Sequence, residues 1–144
     1  MKAYTIGILL TASLRDVLLI EKTKPAWQKG KLNFPGGHIE ENEAPDDCVA
    51  REFEEETGII VKDWLHIGQI DNPENYTVEV FTAIWNPKMG HPINKTEETV
   101  GWYGSFDLPD NAISNLNWLV PFAKNIHQQG NADFLKFGHF IYHY

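Results

Sequence analysis

A chain of 144 residues, 42% of them hydrophobic and 22% charged, has the size and composition of one globular domain with a substantial core. This composition excludes collagen-like, coiled-coil and disordered proteins, and the single cysteine, Cys48, excludes a disulfide framework and a cysteine-rich zinc site. A formal net charge of −8 without a basic stripe argues against binding to duplex nucleic acid, which depends on Lys and Arg at the phosphates. We therefore expect a single domain over residues 1–144.

Residues 1–10 contain a short apolar run without a small-residue cleavage site, which is typical of a first strand and not of a secretory signal. No apolar run approaches the roughly 20 residues that a membrane-spanning helix needs. Together these observations predict a cytoplasmic protein without a membrane partner.

Pro and Gly divide the chain into segments that alternate between strand and helix patterns. A basic loop is predicted over 25–31, a turn at Pro35-Gly36-Gly37, and a long loop over 86–96. Apolar residues at helical spacing predict a helix over 116–127. Runs rich in β-branched and aromatic residues predict strands at 4–10, 17–21, 59–61 with 65–70, 76–85, 100–106 and 134–142.

A second helix is predicted over 45–57, with signals at both ends. Pro45 suits a first turn, and Asp46 and Asp47 lie where the helix dipole favours anions. Gly58 is the residue type that ends a helix in the left-handed conformation.

The negative charge is concentrated on this helix and the residues before it. Nine acids and one base, Arg51, lie between Glu40 and Glu56, and at helical spacing Glu52, Glu55 and Glu56 share one face. Two carboxylates about 5 Å apart repel by roughly 3 kcal/mol at an effective dielectric near 20. Bound divalent cations would offset this repulsion, and oxygen ligands favour Mg²⁺, with Mn²⁺ as an alternative. On the acidic face alone, a solvated surface helix remains the competing interpretation.

Residues 37–59, GHIEENEAPDDCVAREFEEETGI, decide between these interpretations, because they fit the spacing G-x5-E-x7-R-E-U-x-E-E-x-G-U, in which U is a bulky apolar residue. The segment resembles the Nudix box of the Nudix hydrolase superfamily. The matching residues are Gly37, Glu43, Arg51, Glu52, Phe53, Glu55, Glu56, Gly58 and Ile59.

The resemblance implies an α/β fold, an α/β/α sandwich around a mixed β-sheet, and cleavage of a nucleoside diphosphate linked to another moiety. It also implies that Glu52, Glu55 and Glu56, with the carbonyl of Gly36, hold the metal ions. Arg51, which it places in the catalytic motif, and Glu43 would orient the loop and the helix.

A further carboxylate before a late strand often completes such sites as a ligand or general base. Glu97 and Glu98 precede the strand predicted at 100–106. We assign this role to Glu97, and two solvated loop acids are the alternative.

The segment from Lys22 to Gly37 resembles the MutT-like hydrolases of oxidised purine nucleoside triphosphates. By that resemblance Lys24 meets phosphate, Trp27 stacks on the base, and Asn33 hydrogen-bonds it. The late segment around residues 115–122 is similar to the mammalian type of these enzymes, so Asn115 or Asn117 would read a purine edge. Those enzymes use acidic residues there, whereas this chain offers only Asn.

We therefore predict a Mg²⁺-dependent pyrophosphohydrolase, monomeric or homodimeric, that cleaves a small-molecule nucleotide, a nucleoside triphosphate such as 8-oxo-dGTP, to the monophosphate and pyrophosphate. Tyr76 leaves open a dinucleoside polyphosphate (Ap4A-type) hydrolase, since such enzymes carry a Tyr at a similar distance from the box. A catalytically inactive nucleotide sensor is a third alternative, but the complete box argues against it.

Overall fold

The structure, a computed structural model, describes residues 2–129 and 138–141. In these residues a mixed β-sheet lies between two helices, which is the α/β/α sandwich predicted from the sequence. The strands and helices in chain order are β1 Lys2–Leu10, β2 Asp16–Glu21, β3 Leu32–Asn33, β4 Gly36–His38, α1 Pro45–Thr57, β5 Leu65–Asn72, β6 Tyr76–Ile84, β7 Thr99–Gly104, α2 Leu116–Gln129 and β8 Gly138–Ile141.

The central path of the sheet runs in the order β3-β2-β1-β6-β5-β8. β4 pairs with β1, and β7 pairs with β2, both antiparallel. The pairs β1 with β6 and β5 with β8 are parallel, so the sheet is mixed. In this arrangement β4 and β1 pack against α1, and Leu18 of β2 and Val100 of β7 contact the apolar cluster beneath the same helix.

Two apolar clusters fill the spaces between the sheet and the helices. Along β1, Ile8 and Leu10 face the cluster under α2, whereas Leu9 faces the cluster under α1. Val49 and Phe53 are the fully buried residues by which α1 contacts its cluster. Each helix therefore buries one apolar side against one face of the sheet.

The helix α1 begins at Pro45 and ends at Thr57, as the sequence predicts. Asp46 and Asp47 lie in its first turn, and Gly58 follows with a φ of 78°, donating its backbone N–H to the Glu54 carbonyl at 2.9 Å. These local signals fix where the helix begins and ends, whereas the burial of Val49 and Phe53 against the sheet sets the direction of its acidic face.

The prediction of a strand over 59–61 is wrong. Ile59 and Val61 are buried beneath α1, but the Ile60 N–H bonds the Met89 carbonyl, in the 86–96 loop, instead of a strand. That loop contains a short 3-10 turn, Pro87–Met89, and the basic loop contains another, Ala26–Gln28.

The segment predicted as a Pro35-Gly36-Gly37 turn is also different in the structure, because both glycines belong to β4. Thr5 lies opposite Gly37, and Ile6 lies opposite Gly36. Glycine is used here for close approach, since a Cβ at Gly36 would overlap the Thr5 carbonyl oxygen.

The last predicted strand, 134–142, is confirmed over Gly138–Ile141, and its other residues lie outside the described part of the chain. No helix within residues 2–129 is long and apolar enough to cross a membrane.

Candidate active site

The three acids on one face of α1 differ in their exposure to solvent. Glu56 is buried, Glu52 is partly buried, and Glu55 is exposed. Glu54 points away and is also exposed. The acidic face therefore adjoins the core on the side where Val49 and Phe53 are buried, and it opens to solvent on the other side.

Glu56 is the most constrained of these carboxylates. Its residue is 9% exposed, and its Oε2 has no hydrogen-bond partner among the described residues. Burial raises the pKa of Glu56 to about 8, although the nearby positive charge of Lys22 offsets part of this effect. An ionised carboxylate in this position calls for a counter-charge, which a cation would supply.

Arg51 ties the helix to the preceding loop. Its Nε and Nη2 contact the two oxygens of Glu43 at 2.7 and 3.0 Å, and this fork lowers the pKa of Glu43 to about 2. Its Nη1 donates to Glu52 at 3.0 Å and to Glu55 at 3.3 Å. The contact with Glu55, four residues along the helix, is longer than either contact of the bidentate pair with Glu43.

The glycine strand β4 lies directly beside Glu52. A Cβ built on Gly37 would come within 2.6 Å of both carboxylate oxygens of Glu52. The backbone of Gly36 in turn interacts with the carboxyl group of Glu56. The strand thus presents backbone, without side chains, to the two more buried acids of the helix.

These acids open into a cleft of about 280 Å³. Lys24 and Glu97, both predicted from the sequence, lie in its wall. The residues that line it are Thr23, Lys24, Glu52, Glu55, Glu56, Thr96, Glu97 and Glu98.

The sequence interpretation missed the pair formed by Lys22 and Glu98. Lys22 Nζ lies 3.2 Å from Glu98 Oε2, and the same oxygen accepts the Thr23 N–H at 3.0 Å. The sequence indicates this pair only if the predicted strands 17–21 and 100–106 are known to be neighbours, because their register places Lys22 opposite Glu98.

The predicted base-binding residues lie outside the cleft. Trp27, 64% exposed, belongs to the 3-10 turn of the basic loop. Asn33 lies in β3, where its amide donates to Gln28 and its Oδ1 accepts the Phe34 N–H.

Asn115 and Asn117 lie at the start of α2. The segment before that helix pairs with β3, since the Leu32 N–H bonds the Asn111 carbonyl and the Ile113 N–H bonds the Leu32 carbonyl. Asn115 is therefore close in the fold to the strand that carries Asn33, whereas Asn117 is exposed.

Tyr76, the residue that suggested a dinucleoside polyphosphate, is the first residue of β6. Its hydroxyl accepts a hydrogen bond from Asn72 at 2.9 Å, and its ring packs edge-on against Tyr4. It does not line the cleft.

The donor atoms at the cleft fit a hard divalent cation. They are carboxylate and backbone oxygens, and the buried Glu56 oxygen lacks a partner. Across residues 2–129 and 138–141, no three acid, imidazole or thiolate groups are already gathered as a ligand set. Arg51 engages one oxygen each of Glu52 and Glu55, so their other oxygens remain available as donors.

Solved structures share the fold of this chain. A MutT Nudix hydrolase from Burkholderia pseudomallei aligns with 83% of this chain and 95% of its own, with a TM-score of 0.71 and 21% identity. An ADP-ribose pyrophosphatase from Streptococcus suis 89-1591 aligns with 96% of this chain and 98% of its own, with a TM-score of 0.70 and 17% identity. The shared feature at this level of identity is the fold.

The sequence then identifies the family. The model of the NUDIX domain matches residues 1–128. The chain therefore belongs to the Nudix family. Nudix hydrolases generally use divalent metal ions and act on small nucleotides. The 8-oxo-dGTP diphosphatase of Escherichia coli (strain K12) is 41% identical over 44 residues, which are 31% of this chain and 34% of that enzyme. The match therefore spans about a third of that relative.

Proposed function

We propose that this protein is a Mg²⁺-dependent pyrophosphohydrolase, for which Mn²⁺ is an alternative ion, that cleaves a nucleoside triphosphate to the monophosphate and pyrophosphate. The observation that carries the proposal is the cleft that three glutamates of the helix line together with Lys24, namely Glu52, Glu55 and Glu56. A cation is needed there because acids alone would repel a polyphosphate.

Glu52, Glu55 and Glu56 would hold the cation, with the Gly36 carbonyl as a further oxygen ligand. When bound, the cation supplies charge neutralisation for the polyphosphate and activation of a water molecule for attack on phosphorus. Arg51 orients Glu52 and Glu55 through its Nη1, and its fork with Glu43 fixes the guanidinium itself. The positions of the ligands are thereby set before substrate arrives.

Lys24 binds a phosphate oxygen of the substrate, and the loop acid Glu97 acts as a ligand or as the general base that accepts a proton from the attacking water. Both residues lie in the wall of the same cleft as the helix acids. The water attacks phosphorus in line with the leaving oxygen, and pyrophosphate departs.

The base is bound by Asn33 and Asn115, with Asn117 as the alternative reader of the purine edge and Trp27 as a stacking surface. The backbone pairing between β3 and the segment before α2 supports a shared base site for the two former residues. We take 8-oxo-dGTP as the first candidate, since the E. coli relative bears that name.

The deciding experiment is incubation of the purified protein and Mg²⁺ with normal and oxidised (d)NTPs, dinucleoside polyphosphates and ADP-ribose, followed by chromatography of the products. We expect monophosphate and pyrophosphate from a triphosphate. Turnover of only a dinucleotide or of ADP-ribose would replace the triphosphate assignment. Binding without turnover under any metal would identify a nucleotide sensor instead.

A further inference from the structure

Two adjacent acids, Glu97 and Glu98, reach the cleft from the same loop, but they are held very differently. Glu98 makes two contacts through Oε2, with Lys22 Nζ and with the Thr23 N–H. Among the residues that the structure describes, no ion pair or hydrogen bond involves the Glu97 carboxylate, and Glu97 is exposed. The Glu98 carboxylate is therefore fixed, whereas the Glu97 carboxylate is available to bind a ligand.

The register of the sheet explains the fixed position. Glu21 in β2 lies opposite Thr99 in β7, so continuing the antiparallel pairing by one residue places Lys22 opposite Glu98. Val100, two residues after Glu98, packs against the cluster beneath α1. Because side chains alternate along a strand, Glu98 is directed to the same face of the sheet, toward the acidic helix.

The pair is also largely withdrawn from water. The Lys22 side chain is 19% exposed and that of Glu98 is 12% exposed. Such a pair contributes little stability relative to apolar residues, whereas loss of one partner leaves an uncompensated charge. Lys22 is moreover the cation that most strongly opposes the raised pKa of Glu56, so its ammonium lies near the helix acids.

We propose that Glu98 is a positioning residue, which holds Lys22 toward the polyphosphate and anchors the start of the basic loop, while Glu97 is the loop acid that serves the metal. This inference rests on the proposed function and names a phosphate contact, Lys22, that the sequence does not reveal. Lys22 and Lys24 then approach the polyphosphate from one short segment. Their spacing depends on the bond between Glu98 and the Thr23 amide.

Steady-state kinetics of Glu98→Gln, Lys22→Met and the double variant test the pairing, with Glu54→Gln as the control on the solvent side of α1. We expect each single variant to raise KM for the triphosphate about tenfold with a smaller loss in kcat, because ground-state phosphate binding is weakened. The double variant should lose no more than the worse single variant, since the two residues act as a unit. Additive losses would overturn the inference.

Two measurements without substrate separate this inference from the proposed function. Mn²⁺ binding, followed by electron paramagnetic resonance, should remain near wild type in Glu98→Gln and weaken about tenfold in Glu97→Gln. Hydrogen exchange at the Thr23 amide should accelerate in Glu98→Ala and not in Glu97→Ala. Equal loss of Mn²⁺ binding in both Gln variants would make Glu98 a ligand. If the wild type hydrolysed no nucleotide, the proposed function would fail. The Mn²⁺ binding and hydrogen exchange results would still show whether Glu98 anchors Thr23 or acts as a metal ligand.

Discussion

Gly37 and Glu52 occupy complementary positions, because the carboxylate of Glu52 lies where the side chain of residue 37 would be. The oxygens of Glu52 are 2.6 Å from the Cβ position of Gly37. Gly37 has no positive φ, so its role is space and not backbone freedom. Gly37, the first glycine of the Nudix box, thus defines the position of Glu52 on α1.

Replacing Gly37 by Ala should displace Glu52 and lower kcat about a hundredfold, since a misplacement near 1 Å has this effect at a reacting centre. Steady-state kinetics would measure the loss, and urea unfolding would report any change in stability. The matched control is Gly104→Ala, because a Cβ at Gly104 meets no atom within 4 Å. Wild-type kcat in Gly37→Ala would show that the position of Glu52 tolerates this displacement.

Replacing Glu56 by Gln should abolish activity and at the same time stabilise the metal-free protein at pH 8. The buried acid has its pKa raised from 4.5 to about 8, so the folded state keeps a proton that the unfolded state releases. Its contribution to stability is therefore full below pH 4.5 and is lost as the pH rises through 8, by on the order of 4 kcal/mol.

Urea unfolding at pH 4.5 and at pH 8 in a chelator measures this effect. The stability of Glu56→Gln should change less between the two pH values than that of the wild type. Glu54→Gln, on the exposed side of the helix, should show the same change in the free energy of unfolding as the wild type. If the free energy of unfolding changed equally between the two pH values for the wild type and Glu56→Gln, Glu56 would not be the titrating group.

Much of the fold is predictable from local sequence, because its signals act within one turn or strand. The ends of α1 depend on Pro45 and on Gly58, which adjoin the helix. The error at 59–61 has a tertiary cause. Ile59 and Val61 are apolar and buried as strand residues are, but their neighbour is the 86–96 loop, whose position no local pattern determines.

The site shows the same limit. Helical spacing places Glu52, Glu55 and Glu56 on one face, but it does not reveal that Glu56 is the buried one, which depends on packing against the sheet. The bond between Thr23 and Glu98 joins residues 75 positions apart and follows from the register of β2 with β7. Residues that meet across a sheet become visible only when that register is known.

Replacing Glu43 by Gln should lower the stability of the fold and loosen Arg51. The paired carboxylate has its pKa lowered from 4.5 to about 2, so its contribution is present above pH 4.5 and is lost as the pH falls toward 2. Urea unfolding should show a deficit of about 1 kcal/mol at neutral pH that shrinks in acid. A deficit that is constant with pH would contradict the ion pair as its cause.

Arg51→Lys tests the fork itself, because Lys keeps the charge and loses the second donor to Glu43. We expect kcat to fall about tenfold with KM nearly unchanged, since Glu52 and Glu55 lose a fixed orientation that matters in the transition state. Kinetics of this variant beside Arg15→Lys, which lies in the β1–β2 connection away from the cleft, provides the comparison. An unchanged kcat would show that charge alone suffices at position 51.

Binding of Mg²⁺ should release a proton at neutral pH, because the carboxyl group of Glu56 must ionise to act as a ligand. Its pKa of about 8 implies that affinity for the metal rises with pH and levels off above that value. Titration calorimetry in two buffers of different ionisation enthalpy measures the released proton directly, and Glu56→Gln should release none. Thermal unfolding of the wild type should also show an increase in the free energy of unfolding, by about 2.7 kcal/mol at a metal concentration a hundred times Kd. Proton release that persists in Glu56→Gln would assign the coupled ionisation to Glu52, whose pKa burial also raises.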